Sequence, residues 1–268
     1  MWPILFRCGA FQLPSYSLFG ELGAVLAFGF LYGRTGRMGL RSGDDFWLMV
    51  DGILIGGFVG GRLGFLATDG LRFPFRLQDL VFPLTSGFSA FGVFAGMAAG
   101  IFGFCRLFRY PYRRTLDHLC AILPFWLATA RVGCFFTGCC YGRPVRHAWP
   151  WAVTFTNPAS ALPRALLGVP LHPSQLYEAL ADALLGLALL RVLGGAERGE
   201  LPRGTACCAF LAGYGLLRFG LDPFRGDALT FGAITMGQFC ALAFMALALA
   251  GWLRLRAGAR SRRVLGSL

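Results

Sequence analysis

The stretch L-D-H-L-C-A-I-L-P-F-W-L-A-T-A-R-V-G-C-F-F-T-G-C-C-Y-G, residues 116–142, decides the fold class. Its apolar part, 116–136, is long enough to cross a bilayer as a helix, which takes about 20 mostly apolar residues. Arg131 lies inside that part. A charge within a bilayer costs at least ~2.5–3.5 kcal/mol on insertion scales, so it usually has a partner and a function. This stretch therefore predicts both a transmembrane helix and a functional site.

The composition of the whole chain is typical of a membrane protein. The 268 residues are 56% hydrophobic and 14% charged, with a mean hydropathy of +0.60. Soluble domains are roughly 25% charged. We predict an all-α, polytopic membrane protein, with residues 1–268 forming a single integral membrane domain of seven transmembrane helices. The predicted spans are 16–32, 47–66, 87–108, 116–136, 174–193, 205–221 and 231–253.

The distribution of positive charge predicts the topology. All 25 basic residues are arginines, and the net charge is +12. Arginines cluster in the loops after spans 1, 3 and 5 and in the tail 254–268, and cytoplasmic loops carry such an excess. We therefore expect the N-terminus outside, the C-terminus in the cytoplasm, and 141–173 as an outer interfacial loop region. Charges in short loops between apolar spans do not predict a nucleic-acid surface.

Ionisable residues within or at the ends of the spans predict a polar cavity in the bilayer. They are Glu21, Asp51, Arg62, Asp117, His118, Arg131, Glu178, Asp182, Arg218 and Asp222. Arg62, Arg131 and Arg218 each stand beside glycine or other small residues. A guanidinium stays charged and can donate two parallel hydrogen bonds to a phosphate. The three arginines thus indicate an anionic lipid headgroup, with interhelical ion pairing or snorkelling to the interface as alternatives.

Two further local patterns concern the candidate site. Asp222 follows Arg218 by four residues, which places both on one helical face and lets the carboxylate orient the guanidinium. His172 opens the motif H-P-S-Q-L-Y-E at 172–178. A histidine there is a candidate general acid or base, although a capping or interfacial role fits equally well.

Seven motifs occur in one order along the chain. They are L-P-S-Y-S-L-F-G (13–20), G-G-R-L-G-F (60–65), S-G-F-S-A-F-G-V-F-A-G (86–96), R-V-G-C-F-F-T-G-C-C-Y-G (131–142), H-P-S-Q-L-Y-E (172–178), R-F-G-L-D (218–222, followed by P-F-R-G-D) and T-M-G-Q (235–238). Together they resemble the prolipoprotein diacylglyceryl transferase family, as a divergent member. The resemblance runs through most of the chain.

The resemblance implies a multi-pass enzyme of the bacterial cytoplasmic (inner) membrane. Such an enzyme moves a diacylglyceryl group from phosphatidylglycerol to the lipobox cysteine in the signal peptide of a prolipoprotein. By this resemblance Arg131 and Arg218 polarise the phosphate, Asp222 orients Arg218, and Tyr16 donates a hydrogen bond to the headgroup. The implied substrate-binding residues are Arg62, Arg131, Arg218, Asp117, Cys134, Gly142 and His172. Membrane lipids are the other expected partners, with no nucleic acid, metal or cofactor.

The sequence departs from the family pattern at four positions. Phe91 stands where the family has a histidine, Cys134 where it has an asparagine, and Cys139 where it has a glutamate. Asp222 stands where the family has a longer glutamate. The loss of the histidine removes one candidate base for the incoming thiol.

The cysteines leave alternatives open. Cys134, Cys139 or Cys140 could act as nucleophile or acceptor in a different lipid-linked transfer, or the chain could be a non-catalytic module that binds anionic lipid. The three cysteines could also bind zinc with His118 or His147, although their spacing is not a usual zinc pattern. A disulfide between Cys134 and Cys139 is a further alternative.

Overall fold

The computed structural model describes residues 1–9, 11–68, 89–145, 149–228, 230–232 and 234–265. The described chain is mostly helical, as predicted. Its helices are α1 (Ser15–Tyr32), α2 (Thr35–Met38), α3 (Gly43–Thr68), α4 (Ala90–Leu107), α5 (Tyr112–Thr137), α6 (Ser174–Glu197), α7 (Thr205–Leu221) and α8 (Met236–Leu265). Three small antiparallel pairs accompany them: β1 (Ile4–Cys8) with β2 (Phe11–Pro14), β3 (Val153–Thr154) with β4 (Pro170–Leu171), and β5 (Thr230–Phe231) with β6 (Ile234–Thr235).

Each of the seven predicted spans contains a helix, but two spans begin before theirs. Residues 87–88 lie outside the described chain, and the span 231–253 begins in the β5–β6 pair, so its helix starts only at Met236. By length and composition, five helical stretches in the described chain can cross a membrane: Ser15–Tyr32, Gly43–Ala67, Tyr112–Thr137, Ser174–Glu197 and Met236–Gly258. The apolar stretch of α4 is shorter, Gly92–Leu107, and α7 has 17 residues. A polytopic helical membrane protein is confirmed, while the count of seven crossings stays a prediction.

The chain forms two compact units, Met1–Leu31 with Leu116–Leu268, and Tyr32–Thr115. In the second unit, α3 and α4 pack through a stripe of glycines. A Cβ added at Gly60 would lie 2.6 Å from the Cα of Gly96, and one at Gly64 would lie 2.9 Å from the Cα of Gly92. Only glycine, whose side chain is a single hydrogen atom, permits this approach. Close packing through small residues is common between helices in membranes.

In the first unit, α5 packs against α1. The indole Nε1 of Trp126 donates to the carbonyl of Gly20 at 3.0 Å, and the rings of Phe19 and Phe136 stack with centroids 5.4 Å apart. Gly133 lets the backbones meet, because a Cβ there would lie 3.1 Å from the Cα of Tyr16. The last turns of α5 are thereby held beside the first turn of α1.

The described part of the region 141–173 forms an apolar cluster that also contacts Phe135 of α5. Phe155, Leu162 and Leu171 are buried together there, and β3 pairs with β4 in the register Val153 to Leu171. The region is therefore a small folded segment rather than a plain surface loop. At the other end of the chain, α8 continues to Leu265, so the basic tail 254–268 begins as helix.

Candidate active site

Glu178, in the first turns of α6, gathers three arginines around one buried carboxylate. Its Oε2 lies 2.6 Å from Nε of Arg131 on α5, and its Oε1 lies 3.2 Å from Nη1 of Arg218 on α7. The same Oε1 lies 3.1 Å from Nη1 of Arg225. The Glu178 side chain is 7% exposed. Three separate segments thus converge on one anionic group.

Two of the arginines have a second carboxylate partner. Nη2 of Arg218 lies 2.9 Å from Oδ1 of Asp222, which is the i,i+4 pair that the sequence predicts. Arg225 makes a forked contact with Asp227, at 3.0 Å from Nε and 2.9 Å from Nη2. Three positive and three negative groups therefore balance in this arginine–carboxylate cluster. Such forked, charge-assisted hydrogen bonds are the stronger kind.

The backbone around Gly142 positions Arg225. Gly142 forms a β-bridge with Arg225, flanked by hydrogen bonds from Arg143 N to Phe224 O at 2.9 Å and from Gly226 N to Tyr141 O at 2.8 Å. A Cβ at Gly142 would lie 2.9 Å from the Cβ of His172, so only glycine fits at this position. Burial opposes the charge of Arg225, but the Glu178 carboxylate raises the pKa of its guanidinium above the usual value. Arg225 therefore stays protonated.

Asp222 is anchored from the start of α8. It is fully buried and accepts a hydrogen bond from the Thr235 hydroxyl. Gly237 faces its carboxylate so closely that any Cβ would collide with it. The short aspartate at this position therefore reaches Arg218 while held by the T-M-G-Q motif.

A small cleft borders the arginine–carboxylate cluster. Its lining residues are Glu178, Asp182, Tyr214, Leu217, Arg218 and Leu221. The Arg131 and Arg218 side chains are 17% and 20% exposed, more than Glu178 at 7%. These two guanidinium groups can therefore donate outward while the carboxylate behind them holds their orientation. An anionic oxygen is the ligand such donors favour.

Cys134, Cys139 and Cys140 form a second group, the cysteine cluster. Their three sulfur atoms all lie within 4.8 Å of one another. Hydrogen bonds with Cys134 and Cys139, together with the charges of Arg131 and Arg225, lower the pKa of the Cys140 thiol. The pKa of Cys139 is raised to about 11; its bond with Cys134 acts to lower it, but its bond with Cys140 and burial outweigh that effect.

The structure brings several predicted site residues close to these two clusters. Tyr16 is half-exposed at the start of α1, and its backbone packs against Gly133 of α5, one residue before Cys134. His172 packs edge-on against Phe224, with ring centroids 5.5 Å apart, and its Nδ1 lies 3.4 Å from the Tyr177 hydroxyl.

Asp117 lies away from both clusters, near the start of α5. Asp117 accepts hydrogen bonds from the backbone of Gly204 at 2.6 Å and of Cys207 at 3.0 Å, so it caps the start of α7. It is 14 positions from Arg131 along α5, or roughly 21 Å at ~1.5 Å per residue. Arg62 is 1% exposed in α3 of the second unit. The Phe91 side chain and all of His147 lie outside the described residues.

The sequence analysis placed Glu178 among the residues of a polar cavity without giving it a role, and it did not select Arg225 or Asp227. Glu178 belongs to the motif at 172–178, and Arg225 and Asp227 to P-F-R-G-D, so each was present in a quoted motif. The signal available was the presence of both charge signs in separate motifs. Their convergence on one carboxylate is a tertiary feature.

The fold and the site define a multi-pass helical membrane protein with a buried arginine–carboxylate cluster beside a small cleft. A sequence model of the family described as prolipoprotein diacylglyceryl transferase matches residues 3–254. The phosphatidylglycerol–prolipoprotein diacylglyceryl transferase of Geobacter sulfurreducens is 31% identical over 254 residues, covering 92% of each chain. That of Rhodopseudomonas palustris is 33% identical over 258 residues, covering 90% of this chain and 85% of the relative.

A third relative of the same name, from Clostridium tetani, is 29% identical over 227 residues, covering 85% of this chain and 86% of the relative. The chain therefore belongs to the prolipoprotein diacylglyceryl transferase family. The family resemblance inferred from the motifs is confirmed, and with it the class of enzyme, a membrane-embedded transferase.

Proposed function

We propose that this chain transfers a diacylglyceryl group from phosphatidylglycerol to the lipobox cysteine of prolipoproteins, with Arg131, Arg218 and Arg225 serving the phosphate of the donor. The observation that carries the site assignment is the convergence of these three arginines on Glu178 at 2.6–3.2 Å. The family supplies the reaction class. The cluster supplies donors of the type that a departing phosphate needs.

The reaction forms one bond and breaks one. The acceptor thiolate attacks the terminal glyceryl carbon of the lipid, and the bond between that carbon and the phosphate oxygen breaks. The electron pair leaves with glycerol phosphate, so negative charge grows on the phosphate in the transition state. Preoriented guanidinium groups stabilise such charge, and removal of one donor typically costs about 100- to 1,000-fold in rate.

Each residue has a distinct task in this proposal. Arg131 and Arg218 contact the phosphate through their more exposed edges. Arg225 is buried and adds positive charge that stabilises the phosphate without contacting it. Asp222 and Glu178 act as positioning residues, since they fix the guanidinium planes through ion pairs. Tyr16 donates to the headgroup from the start of α1.

The membrane arrangement belongs to the same proposal. Seven helices cross the inner membrane of a bacterium, with the N-terminus outside and the C-terminus in the cytoplasm. The arginine-rich loops support this orientation. The segment 141–173 lies at the outer interface, where the exposed and mutually packed Trp149 and Trp151 suit the headgroup level. The lipid enters laterally, and the signal peptide of the prolipoprotein docks near this segment.

The test is transfer of radiolabelled diacylglyceryl from phosphatidylglycerol to a lipobox peptide, using the full chain in liposomes. We expect transfer by the wild type and a loss of about 100-fold or more for Arg131→Ala. Arg191→Ala is the matched control, because Arg191 is exposed near the other end of α6. It should keep the wild-type rate.

Two outcomes would contradict the proposal at different levels. Wild-type turnover by Arg131→Ala would overturn the site assignment alone. Absence of transfer by folded wild-type protein would overturn the function, and would favour another lipid-linked transfer or a binding role.

A further inference from the structure

The cysteine cluster has the arrangement of a three-sulfur metal site. All three sulfur atoms lie within 4.8 Å of one another. Sulfur ligands about 2.3 Å from a tetrahedral zinc ion stand roughly 3.8 Å apart, so small side-chain adjustments suffice to place an ion among them. Cys134 is buried, whereas Cys139 and Cys140 are partly exposed. The cluster therefore has a protein-covered side and an accessible side.

The backbone of this segment is folded so that the sulfurs meet. Gly138 has a φ of 83° and ends α5, and Cys140 has a φ of 53°. A positive φ is uncommon for any residue with a side chain. The two turns bring Cys139 and Cys140 back beside Cys134 in the last turn of the helix.

Buried polar side chains of α6 hold the turn in place. Nε2 of Gln175 donates to the Cys139 carbonyl at 2.9 Å, and the Ser174 hydroxyl donates to the Cys140 carbonyl at 3.0 Å. Gln175 and Ser174 are 0% and 1% exposed. The thiols are thus positioned by a rigid support, which is how ligands of a metal site are usually held.

The charges nearby suit an anionic metal centre. Three thiolates with one zinc ion carry a net charge of about −1. Arg131 lies three residues before Cys134 on α5, and Arg225 forms a β-bridge with Gly142, two residues after Cys140. Both arginines also belong to the arginine–carboxylate cluster. The cysteine cluster is therefore adjacent to the groups that serve the phosphate of the donor lipid.

We propose that Cys134, Cys139 and Cys140 bind one Zn²⁺ ion whose fourth position takes the sulfur of the acceptor cysteine. Three protein ligands and one open position are typical of catalytic zinc, whereas structural sites have four protein ligands. The proposal rests on the proposed transfer, and it replaces the sequence-based expectation that the chain has no metal. It gives the incoming thiol a way to ionise without a histidine, since Phe91 carries no proton acceptor.

The acceptor thiol displaces a water molecule from the zinc and releases its proton to solvent, because a coordinating thiol is deprotonated. The zinc-bound thiolate attacks the glyceryl carbon, the carbon–oxygen bond breaks, and its electron pair leaves with glycerol phosphate. The product sulfur is a neutral thioether and a weaker ligand, so water replaces it. The zinc undergoes no redox change.

The first experiment measures metal binding without transfer. The full chain in phosphatidylcholine nanodiscs, reduced with a phosphine, is incubated with Zn²⁺, desalted and assayed for bound zinc. We expect about one ion per chain for the wild type and for Cys8→Ser, an exposed control. Cys134→Ser, Cys139→Ser and Cys140→Ser should each lose it. Equal zinc retention by all of these variants would overturn the inference.

A spectroscopic arm needs no variant of the enzyme, and so does not depend on mutant folding. Co²⁺ loaded into wild-type protein should give sulfur-to-cobalt charge-transfer absorption and the visible bands of a tetrahedral site. A lipobox peptide should shift those bands, and the same peptide with serine in place of cysteine should not. Absence of thiolate–cobalt absorption, or a disulfide between cluster cysteines that resists the phosphine, would overturn the inference.

The activity arm separates this inference from the proposed function. Chelator-treated wild-type protein should lose transfer and regain it with Zn²⁺. Unchanged transfer by metal-free protein would overturn the zinc inference while the proposed function stands. Zinc binding and the peptide-dependent cobalt shift without any transfer would overturn the proposed function, and would leave a thiol-binding metal site.

Discussion

Nε of Arg131 lies 2.6 Å from Oε2 of Glu178, which makes the α5–α6 ion pair the shortest of the three that Glu178 forms with arginines. Arg218 and Arg225 each have another carboxylate within 3.0 Å, Asp222 and Asp227. Glu178 is thus the shared partner on which the arrangement of the three guanidinium groups depends.

We predict that Glu178→Gln destabilises the protein and lowers transfer. The substitution keeps the shape but leaves three arginines facing a neutral amide, and loss of one partner of a buried ion pair typically costs about 3–5 kcal/mol. Thermal unfolding in lipid and the rate of transfer are the measurements. Glu200→Gln is the matched control, because Glu200 pairs with Arg198 on the surface, and it should change neither quantity. An unaltered unfolding temperature for Glu178→Gln would show that the pairs do not hold the site.

Arg225→Lys tests a residue that the sequence reasoning did not select. Lysine keeps the charge but cannot make the fork to Asp227 while also contacting Glu178. We expect kcat/KM to fall about 10-fold, equivalent to ~1.4 kcal/mol of transition-state stabilisation, with little change in folding. Arg198→Lys is the control, since Arg198 makes the same kind of fork, to Glu200, in an exposed position. Full activity of Arg225→Lys would show that only its charge matters.

Asp117→Ala distinguishes capping from substrate binding. The carboxylate accepts two backbone hydrogen bonds at the start of α7, and loss of such a cap costs about 0.5–2 kcal/mol. We therefore expect a lower unfolding temperature and an unchanged rate per folded molecule. The opposite result, a lost rate with intact stability, would support the sequence-based assignment of Asp117 to substrate binding.

Local features of the site could be predicted from the sequence, and long-range features could not. Apolar length located the helices, and the four-residue spacing predicted the pair of Arg218 and Asp222 correctly, because both depend on helix geometry alone. The contacts of Glu178 join residues far apart in sequence, so the spacing of residues along the chain cannot predict them.

The cysteine cluster shows a different limit. A glycine that requires a positive φ can be suspected from sequence, and Gly138 is such a residue. Cys140 also has a positive φ, although a side chain disfavours that conformation. The sequence left zinc binding and a Cys134–Cys139 disulfide open as reasons for these sulfurs to meet, but nothing in the residue type at 140 indicated that the chain would turn there.

The glycine stripe between α3 and α4 gives a prediction about folding in the second unit. A Cβ at Gly96 would lie 2.8 Å from the Cα of Gly60, so Gly96→Ala must push the helices apart. Overpacking of this kind typically costs about 1–3 kcal/mol. Gly103 is on the same helix and has nothing within 4 Å of an added Cβ, so Gly103→Ala should be neutral or slightly stabilising. Thermal unfolding of the two variants in the same lipid measures the difference, and equal midpoints would show that the close approach of α3 and α4 contributes little to stability.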